Sequence, residues 1–505
     1  MLFDQNILPD ARIVVGNVLF RHDDALMYCD SANFYEATNS LDAFGHVKMV
    51  QGDTLTGYGD KLFYNGNTKL ARLRQNVRLI HHQSVLTTDS LNYDRANDIA
   101  YYYSGGKIVD DLNTLTSRWG QYTPYNKHAA FRDNVHLVND RFTMDTDTLL
   151  YDTESHVAQL VSPTTVLYEQ ETTILSSNGW YNTTTEESQL FDRSMIIHSD
   201  GMSVTGDTIY YDKQQSFGQL FGNIEMVDST EQTTLRGNYG ELYEQGSPAS
   251  KHPEWGAHGF ATKEALLEQW GDSLHTYMHA DTLFTEELAL SDTLPKDSTY
   301  QRVRAHHHVR IYRADMQGVC DSAVYMGNDS IAKLYGNPIC WNDNNQVSAD
   351  SIYVFMHNDE VDYAHGIGSA ICIQQHDLLH YNQMSGKEIL AYVRNGDVYR
   401  IDVNGNAETV FFPIDGETHQ LSGCNRTQSS FVKVYVENQQ VHHVLFTTST
   451  TGTMYPLNQA TDEIMHLGAF FWAEDERPLT PLDVMRVVEH AARPEKQLMS
   501  AASEE

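Results

Sequence analysis

One short phrase recurs along this chain: Asp, then Thr or Ser, then Leu or Ile, any residue, and Tyr. It reads TDSLNYDR at 88–95, TDTLLYDT at 146–153 and GDTIYYDK at 206–213, with looser copies at 280–287 and 349–356. The first eight copies, aligned on their aromatic residue, fall 29 to 32 residues apart. The aligned residues are Phe34, Tyr64, Tyr93, Tyr122, Tyr151, Tyr181, Tyr211 and Tyr243. A fixed internal period indicates a repeat architecture, which constrains the fold more than any local propensity does.

A second phrase lies between the copies of the first, as VGNVLF, FGHVKM, RQNVRL, RDNVHL and FGNIEM. Both phrases alternate apolar and polar residues. In the first phrase, Leu149 and Tyr151, together with Asp147, oppose Thr148 and Leu150. Such alternation, with Tyr, Thr, Val and Ile, predicts half-buried β-strands. Each period is therefore predicted to be a pair of strands with one apolar face.

A strand with one apolar face needs a second layer to cover it. The chain is thus predicted to be all-β, an elongated two-sheet repeat β-jellyroll with about 29–30 residues per strand pair. The inward side chains either close on a dry core or leave a continuous apolar trough. The segment TKEALLEQW at 262–270 contains helix formers but falls in register, so we expect a strand there.

A right-handed parallel β-helix is the alternative fold. It would stack the asparagines of the second phrase in a ladder, namely Asn17, Asn76, Asn134 and Asn223. Such coils usually carry three short strands per turn, whereas each period here holds two longer alternating segments. The two-sheet jellyroll is therefore favoured.

The regularity of the repeat divides the chain into a first jellyroll array at 12–245 and a second, less regular continuation at 246–475. A C-terminal tail occupies 476–505. In this tail, Thr480 as a cap and Pro481 in the first turn predict a short helix over 481–492. We expect this helix to fold over the last strands and a disordered segment to follow it.

Charge and motif content narrow the function. The formal charge is −34, which argues against a nucleic-acid partner, because such proteins carry a basic face. The five cysteines show no CxxC and no metal-ligand spacing. In the run 306–308, HHH, neighbouring strand residues point to opposite faces, so the run does not predict a metal site. The repeated Asp residues suit a turn or strand-start role better than a calcium ladder.

We therefore predict no enzyme activity, no cofactor and no metal. The chain contains no apolar run near the roughly 20 residues of a membrane-spanning helix, and its longest such run is Leu467 to Ala473. The first residues, MLFDQNILPD, do not have the pattern of a signal peptide.

The two repeated phrases resemble those of the OstA-like proteins, the β-jellyroll family of lipopolysaccharide transport, and especially its long members in Bacteroidota. The resemblance is carried by 15–36, 54–79, 86–110, 316–325 and 401–413 and extends over about 12–475. It implies a V-shaped two-sheet jellyroll in the periplasm or at the outer membrane that carries lipopolysaccharide outward. It also implies edge-strand pairing with other jellyroll components of the transport machinery, or head-to-tail self-association.

The inward apolar residues of the repeat are the candidate lipid-binding residues. An acyl chain gains about 0.8 kcal/mol per buried methylene, and repeated equal faces let it move without full rehydration. The candidates are Val47, Met49, Leu62, Tyr64, Val77, Leu79, Leu91, Tyr93, Val135, Leu137, Leu149, Tyr151, Ile209, Tyr211, Ile224 and Met226. The alternatives are a structural or adhesive rod with a dry core and, less favoured, a glycan-active parallel β-helix.

Overall fold

The computed structural model describes residues 10–52, 55–110, 112–271, 274–290, 298–357, 360–418, 420–437 and 440–488. Strands account for 68% of the protein and helices for 3%, so the all-β prediction is confirmed. The chain divides into two compact units, unit 1 at 1–222 and unit 2 at 223–505. The finer division of the chain at residues 245 and 475 stays a prediction.

Unit 1 is a series of antiparallel strands. They are β1 (Arg12–His22), β2 (Ala25–Tyr35), β3 (Ser40–Gln51), β4 (Leu55–Asn65), β5 (Leu70–His81), β6 (Ser84–Asp94), β7 (Ile99–Tyr102), β8 (Gly106–Val109), β9 (Asn113–Ser117), β10 (Trp119–Thr123), β11 (His128–Asn139), β12 (Phe142–Asp152), β13 (Val157–Leu160), β14 (Thr164–Tyr168), β15 (Thr172–Ser176), β16 (Gly179–Asn182), β17 (Glu187–Leu190), β18 (Ser194–His198), β19 (Met202–Gly206) and β20 (Thr208–Asp212). The point of division falls within β21 (Phe217–Asp228).

Unit 2 continues with longer strands and ends in short helices. The strands are β22 (Thr233–Tyr243), β23 (His258–Gln269), β24 (Thr276–Ala289), β25 (Thr299–Arg313), β26 (Met316–Met326), β27 (Ile331–Tyr335), β28 (Ile339–Asn342), β29 (Asn345–Ser348), β30 (Ser351–His357), β31 (Glu360–Gln375), β32 (Tyr381–Arg394), β33 (Asp397–Phe411), β34 (Cys424–Glu437), β35 (Gln440–Thr447) and β36 (Thr451–Tyr455). The helices are α1 (Asp462–Met465) and the 3-10 turns Leu457–Gln459, Glu474–Glu476 and Pro481–Met485.

Each regular period of the sequence forms one antiparallel hairpin. The second phrase lies on β3 and β5, for example, and the tyrosine phrase lies on β4 and β6. Every strand pairing in the described part of the chain is antiparallel, as in β3 with β4 and β5 with β6. The parallel β-helix alternative is therefore wrong for these residues, because short turns return each strand beside its predecessor.

The second phrase bends its strand. At the bend, two consecutive residues take positive φ, as at Gly45 and His46 (73° and 43°) or Asp133 and Asn134 (61° and 57°). Gly, Asn and Asp tolerate this left-handed region best. The strand register shifts at the same points, between Arg132 and Val135 in β11 for example. Each long strand is thus split into two halves, and we name the two resulting layers half-sheet A, which carries the tyrosine phrase, and half-sheet B.

In the middle of unit 1 the bend becomes a complete break. The short strands β7 and β8 both pair with β6, β7 in half-sheet A and β8 in half-sheet B. The two half-sheets pack face to face. The ring of Tyr102, from half-sheet A, lies against Gly106 of half-sheet B, where an added Cβ would come within 2.5 Å of it. Glycine is required at this close approach.

The repeated Asp lies at the bend, so its predicted place on the inward face is wrong. Asp89 and Asp147 are exposed although Leu91 and Leu149, two residues later, are buried. The alternation is inverted by the bend, because the buried side chains of β12 run Phe142, Met144 and Thr146 before Leu149. The predicted role at a turn or strand start is also wrong for Asp30 and Asp60, which lie inside β2 and β4. Their carboxylates instead lie 2.7 Å from His46 Nδ1 and 2.6 Å from Asn76 Nδ2 on the next strand.

Two expectations about helix and strand can be compared with the structure. The segment 262–270 is a strand as expected, within β23. The helix predicted over 481–492 begins correctly, since Thr480 Oγ1 accepts a hydrogen bond from the Asp483 amide at 3.3 Å, but it ends at Met485 as a 3-10 helix. It contacts β24 and β25 rather than the last strands, which corrects the predicted packing. The expected disordered segment lies outside the described residues.

The helix reaches β25 because the C-terminal segment runs back along unit 2. We name residues 456–488 the strap. Buried glutamines bind its backbone: Gln383 donates to Met465 O at 2.7 Å and accepts from Leu467 N at 2.8 Å. Gln346 binds Phe471 O and Ala473 N in the same way, at 2.8 and 2.9 Å.

The strap covers the outer face of half-sheet B. On β28, Ile339 belongs to a buried cluster with Ala473 of the strap, whereas the next residue, Cys340, lines the inner cavity of unit 2. Successive strand residues point to opposite faces. Half-sheet B of unit 2 is therefore buried on both sides where the strap crosses it.

Candidate functional site

Unit 1 contains a cavity of about 510 Å³ between its half-sheets. Its apolar wall comes from β5 to β9, β11 and β12. The main apolar lining residues are Leu79, Leu86, Tyr102, Leu115, Phe131, Leu137 and Leu149. The lining also reaches the turns at the outer ends of both half-sheets. We name the turns at the outer end of half-sheet A rim A, and those at the outer end of half-sheet B rim B. The volume is within the range of about 300–1,000 Å³ that ligand pockets usually have.

On the N-terminal side of the cavity, the space between the rims is closed. Arg95, in the rim A turn after β6, has a side chain only 3% exposed. Its guanidinium donates to Asp24 Oδ1 at 2.7 Å and to Gln51 Oε1 at 2.6 Å, both at rim B. It also donates to Tyr64 Oη at 2.7 Å. Charge-assisted bonds of this kind are among the stronger ones in proteins, so Arg95 joins the two rims firmly.

Polar contacts at the cavity are sparser. His81 lies at the end of β5 on rim B. Its Nδ1 atom is 3.1 Å from the hydroxyl of Tyr122 on rim A. Burial, and then the neighbouring His82, lower the pKa of His81, so this ring is neutral at pH 7. Beyond the cavity, Arg141 of rim B forms an ion pair with Glu186 of rim A. The cavity thus lies between two stretches in which charged side chains bridge the rims.

The polar edge of the cavity offers hydrogen-bond donors and one lysine. Burial raises the pKa of the Tyr122 and Tyr151 hydroxyls, so both stay protonated and can donate. Lys127 is paired with Glu154 at 2.7 Å. His156 and Thr183 complete this edge beside Tyr151. The arrangement suits an elongated apolar ligand whose polar end stays at the rims.

The predicted lipid-binding residues are all inward, and most are buried. Thirteen of the sixteen are buried and three, Tyr151, Tyr211 and Met226, are half-buried. Eight belong to one packed cluster at the N-terminal end of unit 1: Val47, Met49, Leu62, Tyr64, Val77, Leu79, Leu91 and Tyr93. The cavity is lined by four: Leu79, Leu137, Leu149 and Tyr151. Val135 and Ile209 are core residues of unit 1, and Ile224 is a core residue of unit 2.

Sequence reasoning missed several cavity residues. Tyr102 and Phe131 lie on the strands between the phrases that were aligned, and the polar edge belongs to turns whose lengths vary. The signal for Tyr102 was present in the run AYYYSGG at 100–106, where an aromatic residue precedes two glycines. No comparable pattern marks His81 or Tyr122 as neighbours, because they meet only through the facing of the half-sheets.

Two other candidate sites, a metal site and a cysteine site, are not assembled among the described residues. His307 and His308 are not in an extended strand: both have positive φ at a bend, are exposed, and pair with Asp321 and Asp281 at 3.2 and 3.0 Å. The described residues contain no cluster of three or more His, Cys, Asp or Glu that could hold a metal ion. All five cysteines are free thiols.

Two half-sheets that face each other across an apolar cavity are consistent with a β-jellyroll-like fold. A family model described as OstA-like protein matches residues 1–147, and this region of the chain belongs to that family. No curated protein matches the chain. No helix in the described ranges is long and apolar enough to cross a membrane.

Proposed function

We propose that this protein is a non-enzymatic lipid carrier, which holds acyl chains of lipopolysaccharide in the cavity of unit 1 during transport to the outer membrane. The observation that carries the proposal is the cavity of about 510 Å³, lined by repeat residues such as Leu137 and Leu149 within an OstA-like chain. A periplasmic location follows from the same proposal. The assignment to the long Bacteroidota type stays a prediction.

The chemistry of the cavity supports this function. Each acyl methylene that enters the apolar wall gains about 0.8 kcal/mol. The sugars and phosphates of the same lipid need hydrogen-bond donors and water, and the rims supply Tyr122, Lys127 and Tyr151. The packed cluster at the N-terminal end of unit 1 fits the alternative, a structural rod with a dry core. The cavity favours the carrier, because a dry rod does not need one.

The test is photo-crosslinking in cells that make the protein. Benzoylphenylalanine replaces Tyr151, which lines the cavity, or Tyr101, whose neighbours Ala100 and Tyr102 line the cavity from the same strand while Tyr101 points away. We expect lipopolysaccharide to be captured at position 151 and not at position 101. Equal capture at both positions, or none at 151, would contradict the proposal.

We further propose that β1 is the edge that docks onto another jellyroll. In the described pairings β1 is bonded only to β2, and its Val15 and Leu19 are 67% and 56% exposed. An open strand edge presents unpaired backbone groups that bind a further strand. The simplest partner is a second copy of this chain, joined head to tail.

Proline substitutions at neighbouring positions test the docking edge. Neighbouring amides of a strand point to opposite sides, and proline removes the amide hydrogen. Of Val14→Pro and Val15→Pro, one therefore disturbs the pairing with β2, and the other blocks only the open edge. We expect the second variant to stay folded and monomeric where the unaltered protein associates with rising concentration in sedimentation. An unaltered protein that remains monomeric would rule out head-to-tail association.

A further inference from the structure

The cavity of unit 1 opens to solvent between its rims. Its apolar wall residues, such as Phe131 and Leu137, are buried, whereas the exposed residues of its lining lie at rim A or rim B. Examples are Gln83 on rim B and Lys127 and His156 on rim A. We name this opening the rim gap.

The rims are joined on both sides of the rim gap. On the N-terminal side, Arg95 binds groups of both rims, and the packed cluster fills the space between the half-sheets. On the other side, Arg141 pairs with Glu186, and Lys213 Nζ of rim A lies 5.9 Å from the ring centre of Tyr168 on rim B. A ligand that came along the strands from the N-terminal end would have to displace closely packed side chains, which is costly.

Two exposed apolar side chains flank the rim gap. Leu112 of rim B belongs to the cavity lining and is 66% exposed, and Tyr125 of rim A, two residues before Lys127, is 88% exposed. The Asp110 carboxylate accepts a hydrogen bond from the Leu112 amide at 3.0 Å, which holds this leucine in its turn. Contact with an acyl chain would remove apolar surface of both residues from water, which favours entry at this place.

The contact between His81 and Tyr122 crosses the rim gap itself. His81 Nδ1 and the Tyr122 hydroxyl are 3.1 Å apart, and the two ring centres are 5.6 Å apart. Both side chains are half-buried members of the cavity lining. A single hydrogen bond between a ring nitrogen and a hydroxyl is weaker than the charge-assisted bonds of Arg95. When the rims move apart, this contact therefore breaks first and widens the opening.

We propose that an acyl chain enters and leaves the unit 1 cavity sideways, through the rim gap, and that the contact between His81 and Tyr122 is a latch that parts to admit it. The route rests on the proposed function, because it presupposes that the cavity holds lipid. It separates two properties of the site. The latch sets the rate at which the chain is exchanged, and the apolar wall sets the affinity for it.

The test compares the closed and the released latch in the full-length protein. In the double variant His81→Cys/Tyr122→Cys, a short bis-methanethiosulfonate reagent joins the two new thiols across the rim gap, and a reductant releases them. The probe is palmitic acid with a photoreactive diazirine in its chain, irradiated at set times after mixing. Labelled peptides of unit 1 are quantified by mass spectrometry. We expect labelling to be about tenfold slower or more in the joined protein and to recover on release, since joining removes the open state.

The matched control is the double variant Arg141→Cys/Glu186→Cys, because charged side chains already join the rims there. Joining these two thiols should leave the labelling rate unchanged. The unaltered protein, treated with the same reagent, controls for its five cysteines.

A single substitution tests the latch in the opposite direction. Tyr122→Phe keeps the ring and removes the hydroxyl that contacts His81. We expect entry and exit to quicken by the same factor, roughly two- to tenfold, because one neutral hydrogen bond is lost from the closed state. Occupancy at equilibrium should not change. Exit is measured by a chase with unlabelled palmitic acid.

The outcomes separate the route from the lipid site. Equal labelling rates in the joined and released His81→Cys/Tyr122→Cys protein would overturn the sideways route and leave the lipid site in place. Slowing of the same size in the joined control variant would also overturn the assignment of the entrance to the rim gap. No labelling of unit 1 in the unaltered protein would refute the lipid site, and the route with it. If the double variant does not fold, unchanged entry and exit in Tyr122→Phe would overturn the latch.

Discussion

The two units build half-sheet B from the same bent strands but treat its outer face differently. In unit 1 this face is open, and Leu167, Leu175, Met195 and Ile197 lie on it between 36% and 40% exposed. In unit 2 the strap covers it between α1 and the last 3-10 turn. The same repeat thus gives a layer with one buried face in unit 1 and a layer with two buried faces in unit 2.

The covered face has a different composition as a result. Three consecutive residues of β31, Ile371, Cys372 and Ile373, are all buried, a pattern typical of strands covered on both sides. Gln346 and Gln383 are 0% and 1% exposed, yet satisfied, because the strap backbone pairs with them. This difference in burial between the two units shows that the strap is part of the folded core of unit 2. Unit 1 instead depends on side chains that join its rims.

The largest effect is expected where the strap meets the sheet. Ala473→Glu places a carboxylate between Val319, Ile339 and Trp341, where Ala473 is 4% exposed. An uncompensated buried charge costs about 3 kcal/mol or more, so the strap should leave the sheet. Hydrogen exchange should then rise in the strap and on β26 to β29 but not in unit 1.

A control on the same strap is Gly468→Glu, because a side chain at this exposed position meets nothing within 4 Å. It should leave exchange unchanged. If the strap amides are equally protected from hydrogen exchange in the two variants, the strap is held without the contact at Ala473. The contrast between the two units would then be weaker.

A smaller effect is expected from the rim closure of unit 1. Arg95→Met keeps the length of the side chain and removes its bonds to Asp24, Gln51 and Tyr64. Hydrogen bonds to charged groups contribute about 1.5–3 kcal/mol, so we expect a loss of about 2 kcal/mol in the opening free energy of β2 to β6. The measurement is native-state hydrogen exchange.

Arg72→Met, at an exposed position of β5, is the matched control and should change little. Equal protection of β2 to β6 in the two variants would show that the packed cluster alone keeps the rims together. Any change in unit 2 would contradict the assignment of this closure to unit 1.

The smallest effect is expected on the stability of unit 2 at acidic pH. Burial raises the pKa of Asp377, but bonds from the Leu379 and His380 amides and from the His380 ring outweigh it and lower the pKa to about 2. A carboxyl with a lowered folded pKa stabilises above its ordinary value of 3.8 and loses that contribution as pH falls toward 2. Asp377→Asn should therefore flatten the loss of unit 2 stability between about pH 4 and pH 2 by under about 1 kcal/mol, since the group is near the surface.

Urea unfolding at several pH values, followed by exchange in the turn after β31, checks this prediction. A variant whose stability falls as steeply as that of the unaltered protein would place the acid sensitivity elsewhere. Asp147→Asn, at an exposed bend in unit 1, is the control.

Much of the fold was readable from the period and the alternation. The strands, their antiparallel pairing within a period and the inward positions such as Leu62 and Val77 follow from side-chain geometry that every copy repeats. The bends were not predicted, although their signal is local, since Gly-Asn and Asp-Asn pairs favour positive φ. Four residues of the cavity lining, Leu79, Leu137, Leu149 and Tyr151, were among the predicted ones. Tyr102, Phe131 and the other polar residues of the rims were not.

The sequence by itself determined the repeat, the strand character and the apolar inward faces, because these depend on residues close together along the chain. Only the tertiary structure decided which turns approach each other, where Arg95 closes the rims, and which inward residues line a cavity instead of a dry core. It also decided the place of the strap. The apolar run Leu467 to Ala473 is visible in the sequence, but Gln346 and Gln383, which bind it, lie more than 80 residues away. Contacts over such separations depend on how the sheets fold around the bends, and no local pattern encodes them.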